Sequence, residues 1–223
     1  NHPFVEHFKF VKQFEDEHTT ARQTIPAPSQ FLAELFREDN GTVTRSFYPD
    51  LEELIQDIAA AYHQVIKDLY EAGCRNIQFD DCTWGMCCDH GYWTSRQKDK
   101  SVTIEGETAK YLRVNNLALE GRPQNLAFTT HVCRGNYNST WAASGGYEPV
   151  APILFAKENV DAYYLEFDDE RSGGFEPLRE VSSNKKVVLG LITTKHPQLE
   201  DKEVIKARIK EATKYIPLER LCL

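Results

Sequence analysis

The 223-residue sequence lacks the features of several broad classes of protein. No apolar run approaches the roughly 20 residues that span a bilayer, so we expect no membrane-spanning helix. The start has no basic segment followed by an apolar one, and no signal peptide is recognisable. There is no Gly-x-Gly-x-x-Gly motif after a strand and no P-loop, which leaves dinucleotide and nucleoside triphosphate binding unsupported.

Basic residues are scarce relative to acidic ones, with Lys+Arg 26 against Asp+Glu 34 and a net charge of -8. An acidic balance of this kind disfavours binding to nucleic acid or to an anionic membrane. The six cysteines are scattered, unlike the dense disulfide framework of a small secreted domain. We therefore expect a cytoplasmic protein, with no nucleic-acid or membrane partner, whose thiols are free or bind metal.

What the sequence does contain is a repeating pattern of short β-prone runs and amphipathic helices. The clearest helix is predicted from about Asp50 to Ala72, with Asp50 as N-cap and Gly73 in the left-handed position that ends it. Strands are predicted near residues 24, 75, 125, 161, 187 and 220. Apolar strands that alternate with helices indicate a parallel sheet covered by helices.

Residue types that carry chemistry follow the predicted strands. They are Asp80, Asp81, His131, Cys133, Glu166, Lys195 and His196. In a (β/α)8 TIM barrel the carboxyl ends of the strands converge on one face, where the active site is built. A full barrel needs eight strands and about 250 residues. We therefore predict one α/β TIM-barrel catalytic domain over residues 1–223, truncated at both ends, without its first two βα units and the end of its last strand.

The sharpest local motif is His131-x-Cys133. At the end of a strand, residues i and i+2 point to the same side, so both side chains can reach one ion. An imidazole and a thiolate together suit zinc, and Glu166 on the next strand is a candidate third ligand. The alternative is an exposed histidine and a buried cysteine that are neighbours by chance, because so short a motif has a high false-positive rate.

Three other features each allow two interpretations. Asp80 and Asp81 either hold a substrate ammonium group or act as acid and base, or they are a solvated strand end or a helix cap. The segment 84–111 is predicted to be a long polar insert, either a lid or substrate wall at the site or surface decoration. A C-x4-C-C spacing favours buried or loop thiols over a second metal site. These three cysteines are Cys82, Cys87 and Cys88.

Taken together, these segments resemble the catalytic barrel of cobalamin-independent methionine synthase over nearly the whole chain. Residues 77–81 resemble the family's strand that ends Q-I-D-E, and residues 130–133 resemble its T-H-x-C. Residues 164–166 resemble the strand that ends in the ligand glutamate. Residues 216–221 resemble the I-P-x-E-R-L that leads into the last strand.

The resemblance implies zinc-dependent transfer of a methyl group to the thiol of homocysteine, which forms methionine. It implies that Asp80 binds the amino group of homocysteine, and we include the neighbouring Asp81 and Glu166 among the candidate substrate-binding residues. The fourth zinc ligand of the family is a cysteine that would lie after Leu223. The implied ligands within this sequence are His131, Cys133 and Glu166.

Two positions depart from the family pattern. The catalytic histidine is expected after the strand that ends near Gly190, where strict spacing falls on Lys195 and a histidine follows as His196, so both are candidate proton donors. The segment 27–36 has no Trp to pack on a folate, so the methyl donor is methyltetrahydrofolate or another compound, such as a methylated corrinoid. The alternatives to this function are another metal-assisted enzyme of the same barrel superfamily and a non-catalytic barrel that binds a thiol or an amino acid.

Overall fold

The computed structural model describes residues 2–96 and 102–223. The six predicted strands are confirmed as β1 Gln23–Pro26, β2 Asn76–Asp81, β3 Ala127–Val132, β4 Ala162–Glu166, β5 Lys186–Gly190 and β6 Leu221–Cys222. The α-helices are α1 Pro3–Lys12, α2 Pro28–Leu35, α3 Asn40–Phe47, α4 Leu51–Glu71, α5 Thr83–Cys88, α6 His90–Arg96, α7 Ile104–Leu119, α8 Ala151–Lys157 and α9 Lys202–Ala212. Among the described helices, none has the length and apolar character that a bilayer crossing requires.

The strands form one parallel sheet in the order β1-β2-β3-β4-β5-β6, so every strand pairs with its neighbour in sequence. Helices connect the strands and cover one face of the sheet. This sequential βα order is the arrangement of a TIM barrel, and it confirms the predicted fold class. Within the described residues the barrel is incomplete, because β1 and β6 each pair on one side only.

Helix α4 shows how local sequence produces these elements. The Asp50 carboxylate accepts a hydrogen bond of 2.9 Å from the backbone N–H of Glu52 and caps the first turn. Gly73 ends the helix at φ +95°, a conformation that side chains disfavour. Between these ends Leu54 and Ile58 lie on the buried face. The predicted helix and both of its end signals are confirmed.

The two faces of the sheet differ in polarity because side chains alternate along each strand. On the helix-covered face, the rings of Phe79 and Phe128 pack edge to face with centroids 4.6 Å apart. On the opposite face, the Arg22 guanidinium donates to Asn76 at 3.1 Å and to the Tyr164 hydroxyl at 2.5 Å. Consecutive residues at a strand end therefore enter different environments, which matters for the paired aspartates of β2.

The segment 84–111 differs from its prediction. Most of its described part is helical, in α5, α6 and the first half of α7, and residues 97–101 lie outside the described residues. Trp84, Trp93 and Tyr111 are buried, and the rings of Trp84 and Tyr111 pack at right angles. Its aromatic residues therefore belong to the core rather than to an exposed lid.

Asp81 lies on the helix-covered face and belongs to a buried hydrogen-bond network. Its carboxylate accepts from the Ser29 hydroxyl at 2.5 Å, from the Thr83 N–H at 3.0 Å and from the Asn115 amide at 3.1 Å. The same Asn115 amide donates to Glu158 at 2.9 Å. Burial raises the pKa of Asp81, and burial together with the nearby Asp81 raises the pKa of Glu158 to about 8. With a pKa of about 8, the Glu158 carboxyl group holds a proton at neutral pH.

We expect Glu158→Gln to remove a pH dependence of stability. The folded pKa of Glu158, about 8, lies above the unfolded value, so the native state holds an extra proton between about pH 5 and pH 8. The wild-type free energy of unfolding should therefore fall as pH rises through this window, with a slope of up to about 1.4 kcal/mol per pH unit from this group. Glutamine keeps an acceptor for Asn115 and does not titrate.

Urea unfolding at pH 5, 7 and 9 measures this effect as the difference between variant and wild type. As pH rises, the free energy of unfolding of Glu158→Gln should increase relative to that of the wild type. Glu53→Gln, at an exposed position on α4, is the control and should follow the wild type at every pH. Parallel curves for the wild type and Glu158→Gln would show that Glu158 carries no proton in the folded state.

Candidate active site

A compact group of polar side chains lies where β2 and β3 end. Asp80 is the register partner of His131, and an oxygen of Asp80 lies 2.8 Å from Nδ1 of His131. Cys133 follows two residues after His131 on the same side. One ligand atom from each of these three residues lies within 4.8 Å of the other two, and all three residues are partly accessible. Parallel pairing of two adjacent strands is thus sufficient to assemble a carboxylate, an imidazole and a thiol.

Glu166, at the end of β4, lies on the other side of His131, outside the three residues whose ligand atoms lie within 4.8 Å of one another. One of its oxygens lies 3.5 Å from Nε2 of His131 and accepts from the backbone N–H of Arg134 at 3.2 Å. Its other oxygen accepts from the Arg171 guanidinium at 3.0 Å. Arg171 is itself almost fully buried and pairs with Asp168 at 3.0 Å. Glu166 is therefore held in one orientation by three donors.

His131 lies between two carboxylates, and this controls its charge. Burial opposes protonation of the ring, but the hydrogen bonds to Asp80 and Glu166 outweigh burial and raise the pKa of His131 to about 10. At neutral pH, in the absence of a metal, the ring is an imidazolium. Because Asp80 engages Nδ1, Nε2 is the nitrogen directed toward Glu166.

Cys133 is the activated thiol of the group. A hydrogen bond from the Cys82 thiol favours the Cys133 thiolate, and a second one of 3.3 Å comes from the backbone N–H of Gly135. Together they outweigh burial and lower the pKa of Cys133 to about 7. The same contact, with burial, raises the pKa of Cys82 strongly, because its thiol is the donor.

The other residues predicted for the site lie apart from the group at the ends of β2 and β3. Asp81 lies outside this group, fully buried in its network with Ser29 and Asn115. The Lys195 ammonium donates to the Asn136 side chain at 2.9 Å, on the loop that follows Cys133. His196 is exposed. In the described ranges, no hydrogen bond or ion pair links Lys195 or His196 to Asp80, His131, Cys133 or Glu166.

Sequence reasoning overlooked two members of the site. The sequence spacing groups Cys82 with Cys87 and Cys88, yet those two are buried, whereas Cys82 is partly accessible and lowers the pKa of Cys133. Arg171 orients Glu166, and the ring of Trp141 lies 5.1 Å from its guanidinium. The signal for Arg171 in the sequence is its place in the acidic segment after β4, five residues after the Glu166 carboxylate to which it donates.

The residues present fit a zinc ion. Imidazole nitrogen, thiolate and carboxylate are the donor types that zinc prefers, and they are provided here by His131, Cys133 and Glu166. Metal-binding histidines usually direct their second ring nitrogen to a carboxylate, as His131 does to Asp80. The donor set and the orienting hydrogen bond therefore favour zinc bound through Nε2 of His131.

Comparison with known proteins supports the family resemblance noted in the sequence. Residues 29–223 match the family model described as cobalamin-independent synthase, catalytic domain. The protein YxjH of Bacillus subtilis (strain 168) is 40% identical over 227 residues, which cover 100% of this chain and 57% of YxjH. The chain thus spans little more than half the length of this relative.

Two solved structures share the fold. A candidate vitamin-B12 independent methionine synthase from Listeria monocytogenes is 33% identical, with a TM-score of 0.76 over 100% of this chain and 62% of that one. A B12-independent methionine synthase from Shewanella sp. W3-18-1, solved in complex with selenomethionine, is 20% identical, with a TM-score of 0.69 over 100% of this chain and 58% of that one. The second similarity concerns the fold alone.

Proposed function

The chain belongs to the cobalamin-independent synthase family, whose catalytic domain its residues 29–223 match, and from this premise we propose that it transfers a methyl group to the thiol of homocysteine, forming methionine. The observation that carries the proposal is the assembly of Asp80, His131 and Cys133 at the carboxyl ends of β2 and β3. We further propose that residues 1–223 act as one catalytic domain and that the reaction takes place in the cytoplasm.

In this proposal His131, Cys133 and Glu166 hold zinc. A bound zinc ion would supply the positive charge that keeps a substrate thiol deprotonated near neutral pH. Asp80 is the group that binds the ammonium of homocysteine: its side chain is 46% exposed and its carboxylate carries the negative charge that an ammonium requires. Arg171 keeps Glu166 from turning away, through the 3.0 Å hydrogen bond to its carboxylate.

If the methyl group of the donor is bound to nitrogen, that nitrogen must take up a proton as the demethylated donor leaves. Lys195 is the better-placed acid, because its ammonium reaches the loop that follows Cys133, whereas His196 is exposed. Methyltetrahydrofolate and a methylated corrinoid remain the two donor classes to compare. Homocysteine and one of these donors are the proposed partners.

Isotopically labelled methyl transfer tests the proposal. Purified chain is loaded with zinc, its zinc content is measured, and homocysteine is offered with each labelled donor in turn. The expected result is one zinc per chain and labelled methionine from one of the donors. The proposal is wrong if the zinc-loaded chain methylates no thiol with either donor.

Zinc affinity should rise steeply with pH. To bind zinc, His131 would lose a proton from a group whose pKa is about 10, and below pH 7 Cys133, whose pKa is about 7, would lose one as well. Loss of the His131 proton alone predicts at least about a 100-fold rise in affinity between pH 6 and pH 8. The slope should be greater below pH 7 than above it.

Competition against a chelating dye at constant ionic strength measures this dependence. Asp80→Asn provides the control, because Asp80 makes the hydrogen bond that contributes most to raising the pKa of His131. The zinc affinity of Asp80→Asn should change less with pH than that of the wild type in the upper part of the range between pH 6 and pH 8. An affinity that does not change with pH would exclude His131 as a ligand that must lose a proton.

A further inference from the structure

The segment 134–143, which directly follows the thiol of the candidate site, folds back on itself as a tight hairpin. At its base, the carbonyl of Arg134 accepts from the backbone N–H of Ala142 at 2.8 Å. Near its tip, Tyr137 and Thr140 form an antiparallel bridge, with N–H to carbonyl distances of 3.3 and 2.9 Å. Two residues connect this pair, as in the commonest hairpin turns. The segment therefore has a defined shape beside the site.

The backbone of this hairpin adopts conformations that side chains disfavour. At the tip, Asn138 has φ +50° and Ser139 has φ +58°. A two-residue turn of type I′ requires positive φ at both positions, which asparagine tolerates and serine rarely adopts. At the base, a Cβ on Gly135 would lie 2.9 Å from the backbone N of Ala142, so glycine allows the two arms to approach. Strained turns of this kind are concentrated at ligand-binding and catalytic sites.

The base of the hairpin is held against the candidate active site. The Gly135 N–H donates to the sulfur of Cys133 at 3.3 Å. The Asn136 amide donates to the Thr194 hydroxyl at 3.0 Å, and its oxygen accepts from the Lys195 ammonium at 2.9 Å. The hairpin is thus connected both to the thiol and to the loop after β5.

Two large aromatic side chains on this hairpin remain exposed. Tyr137 is 77% exposed and Trp141 is 48% exposed. The Arg171 guanidinium lies over the ring of Trp141, 5.1 Å from its centroid, and donates to Glu166 at 3.0 Å. A cation–π contact therefore holds the indole next to Glu166, while about half of Trp141 stays accessible to a ligand.

We propose that Trp141 is a stacking surface for a planar heteroaromatic ring of the methyl donor. The inference rests on the proposed function in taking the site to receive a methyl donor. An indole already held in place binds a conjugated ring well, because stacking then restricts little further side-chain motion. Such a ring occurs in the pterin of methyltetrahydrofolate and in the benzimidazole base of cobalamin. Cobinamide, a corrinoid without this base, lacks it.

Equilibrium dialysis with three probes measures the contribution of Trp141. The zinc-loaded 223-residue chain is dialysed against methyltetrahydrofolate, cobalamin and cobinamide in turn, beside the variants Trp141→Ala and Trp141→Phe. Phe14→Ala is the matched control, because Phe14 is also an exposed aromatic residue and lies between α1 and the amino end of β1.

The wild type should bind methyltetrahydrofolate or cobalamin, and the probe that binds identifies the source of the ring. Trp141→Ala should weaken this binding about 5- to 150-fold, the usual effect of removing one stacking partner. Trp141→Phe should lie between the wild type and Trp141→Ala, and Phe14→Ala should match the wild type. Equal affinity of the wild type and Trp141→Ala, or of cobinamide and cobalamin where cobalamin binds, would overturn the inference.

Zinc content separates stacking from an indirect effect through Arg171. Both the zinc content and the KM for homocysteine should be unchanged in Trp141→Ala, whereas the KM for the donor should rise. A fall in zinc content would mean that Trp141 acts by holding Arg171 against Glu166, and it would overturn the inference.

Iodide quenching of the wild type keeps the inference testable if neither Trp141 variant folds. Iodide reaches exposed indoles, and Trp84 and Trp93 are buried, so the quenched emission comes from Trp141. A bound ring should protect it, and quenching that no probe reduces would overturn the inference. Protection of Trp141 without methylation of homocysteine would overturn the proposed function alone. Methylation with an unprotected Trp141 would overturn the inference alone.

Discussion

Replacing Cys133 with serine is expected to abolish stoichiometric zinc binding and to lower kcat/KM for methylation of homocysteine by at least about 10³-fold, or about 4 kcal/mol of transition-state stabilisation. Serine has nearly the same volume, but its hydroxyl does not ionise near neutral pH and is a poor zinc ligand. The Cys133 thiol does ionise there, because Cys82 and Gly135 lower its pKa to about 7. The loss is therefore chemical rather than structural.

Metal analysis and labelled methyl transfer on the same samples measure both effects. Cys222→Ser provides the control, since Cys222 is exposed, and it should retain the zinc content and rate of the wild type. Unfolding curves should show similar stability for the metal-free forms of both variants. Full zinc content in Cys133→Ser would remove Cys133 from the ligand set.

Gly145→Ala is expected to lower the free energy of unfolding by about 2–5 kcal/mol. Two causes contribute: alanine disfavours the positive φ at this position, and its Cβ would clash with a neighbouring backbone atom. Gly145 has φ +121°, which residues with a side chain rarely adopt. A Cβ there would also lie 2.1 Å from the carbonyl oxygen of Cys88, a backbone atom with little freedom to move. The N–H of Gly145 donates to the carbonyl of Arg171 at 2.7 Å, so the displacement would reach the segment that holds Glu166.

Gly121→Ala separates the two causes. Gly121 also has a positive φ, +70°, but an added Cβ would meet no atom within 4 Å. Only the backbone cost applies there, about 1–2 kcal/mol. Chemical denaturation should show a greater loss of unfolding free energy for Gly145→Ala than for Gly121→Ala. Equal losses would mean that the Cys88 carbonyl can move away from the added Cβ at no energetic cost.

The elements of the fold could be predicted because their signals are local. Helix α4 carries its apolar stripe, its N-cap Asp50 and its terminating Gly73 within one continuous segment. The strands are short runs whose order in the sheet is their order in the chain. The segment 84–111 differs from its prediction because Trp84 and Tyr111 meet each other only after α5 and α7 have packed together.

The site could be predicted only in part, for the same physical reason. Parallel strands bring Asp80 and His131 together without any information from loops. The separation of Asp81 from Asp80 follows from strand alternation, but its burial depends on Ser29 and Asn115, which are distant in sequence. The effect of Cys82 on Cys133 joins the ends of two strands that are distant in sequence. Arg171, in contrast, donates to Glu166 only five residues away, within the segment that follows β4.

The sequential order of the strands also has a kinetic consequence. Each strand pairing closes a single loop, and the shortest joins β4 to β5, where Ala162 lies opposite Lys186. The longest joins β1 to β2, where Gln23 lies opposite Ile77. Each doubling of loop length raises the entropic free-energy cost of closing the loop by only about 0.6 kcal/mol. Strand pairs with short loops are therefore favoured to form first, but this order is a preference and not a fixed folding pathway. Chains that follow this order position Glu166 early and bring His131 to it when β3 joins β4. The proposed metal ligands therefore assemble from the carboxyl-terminal half of the chain backward.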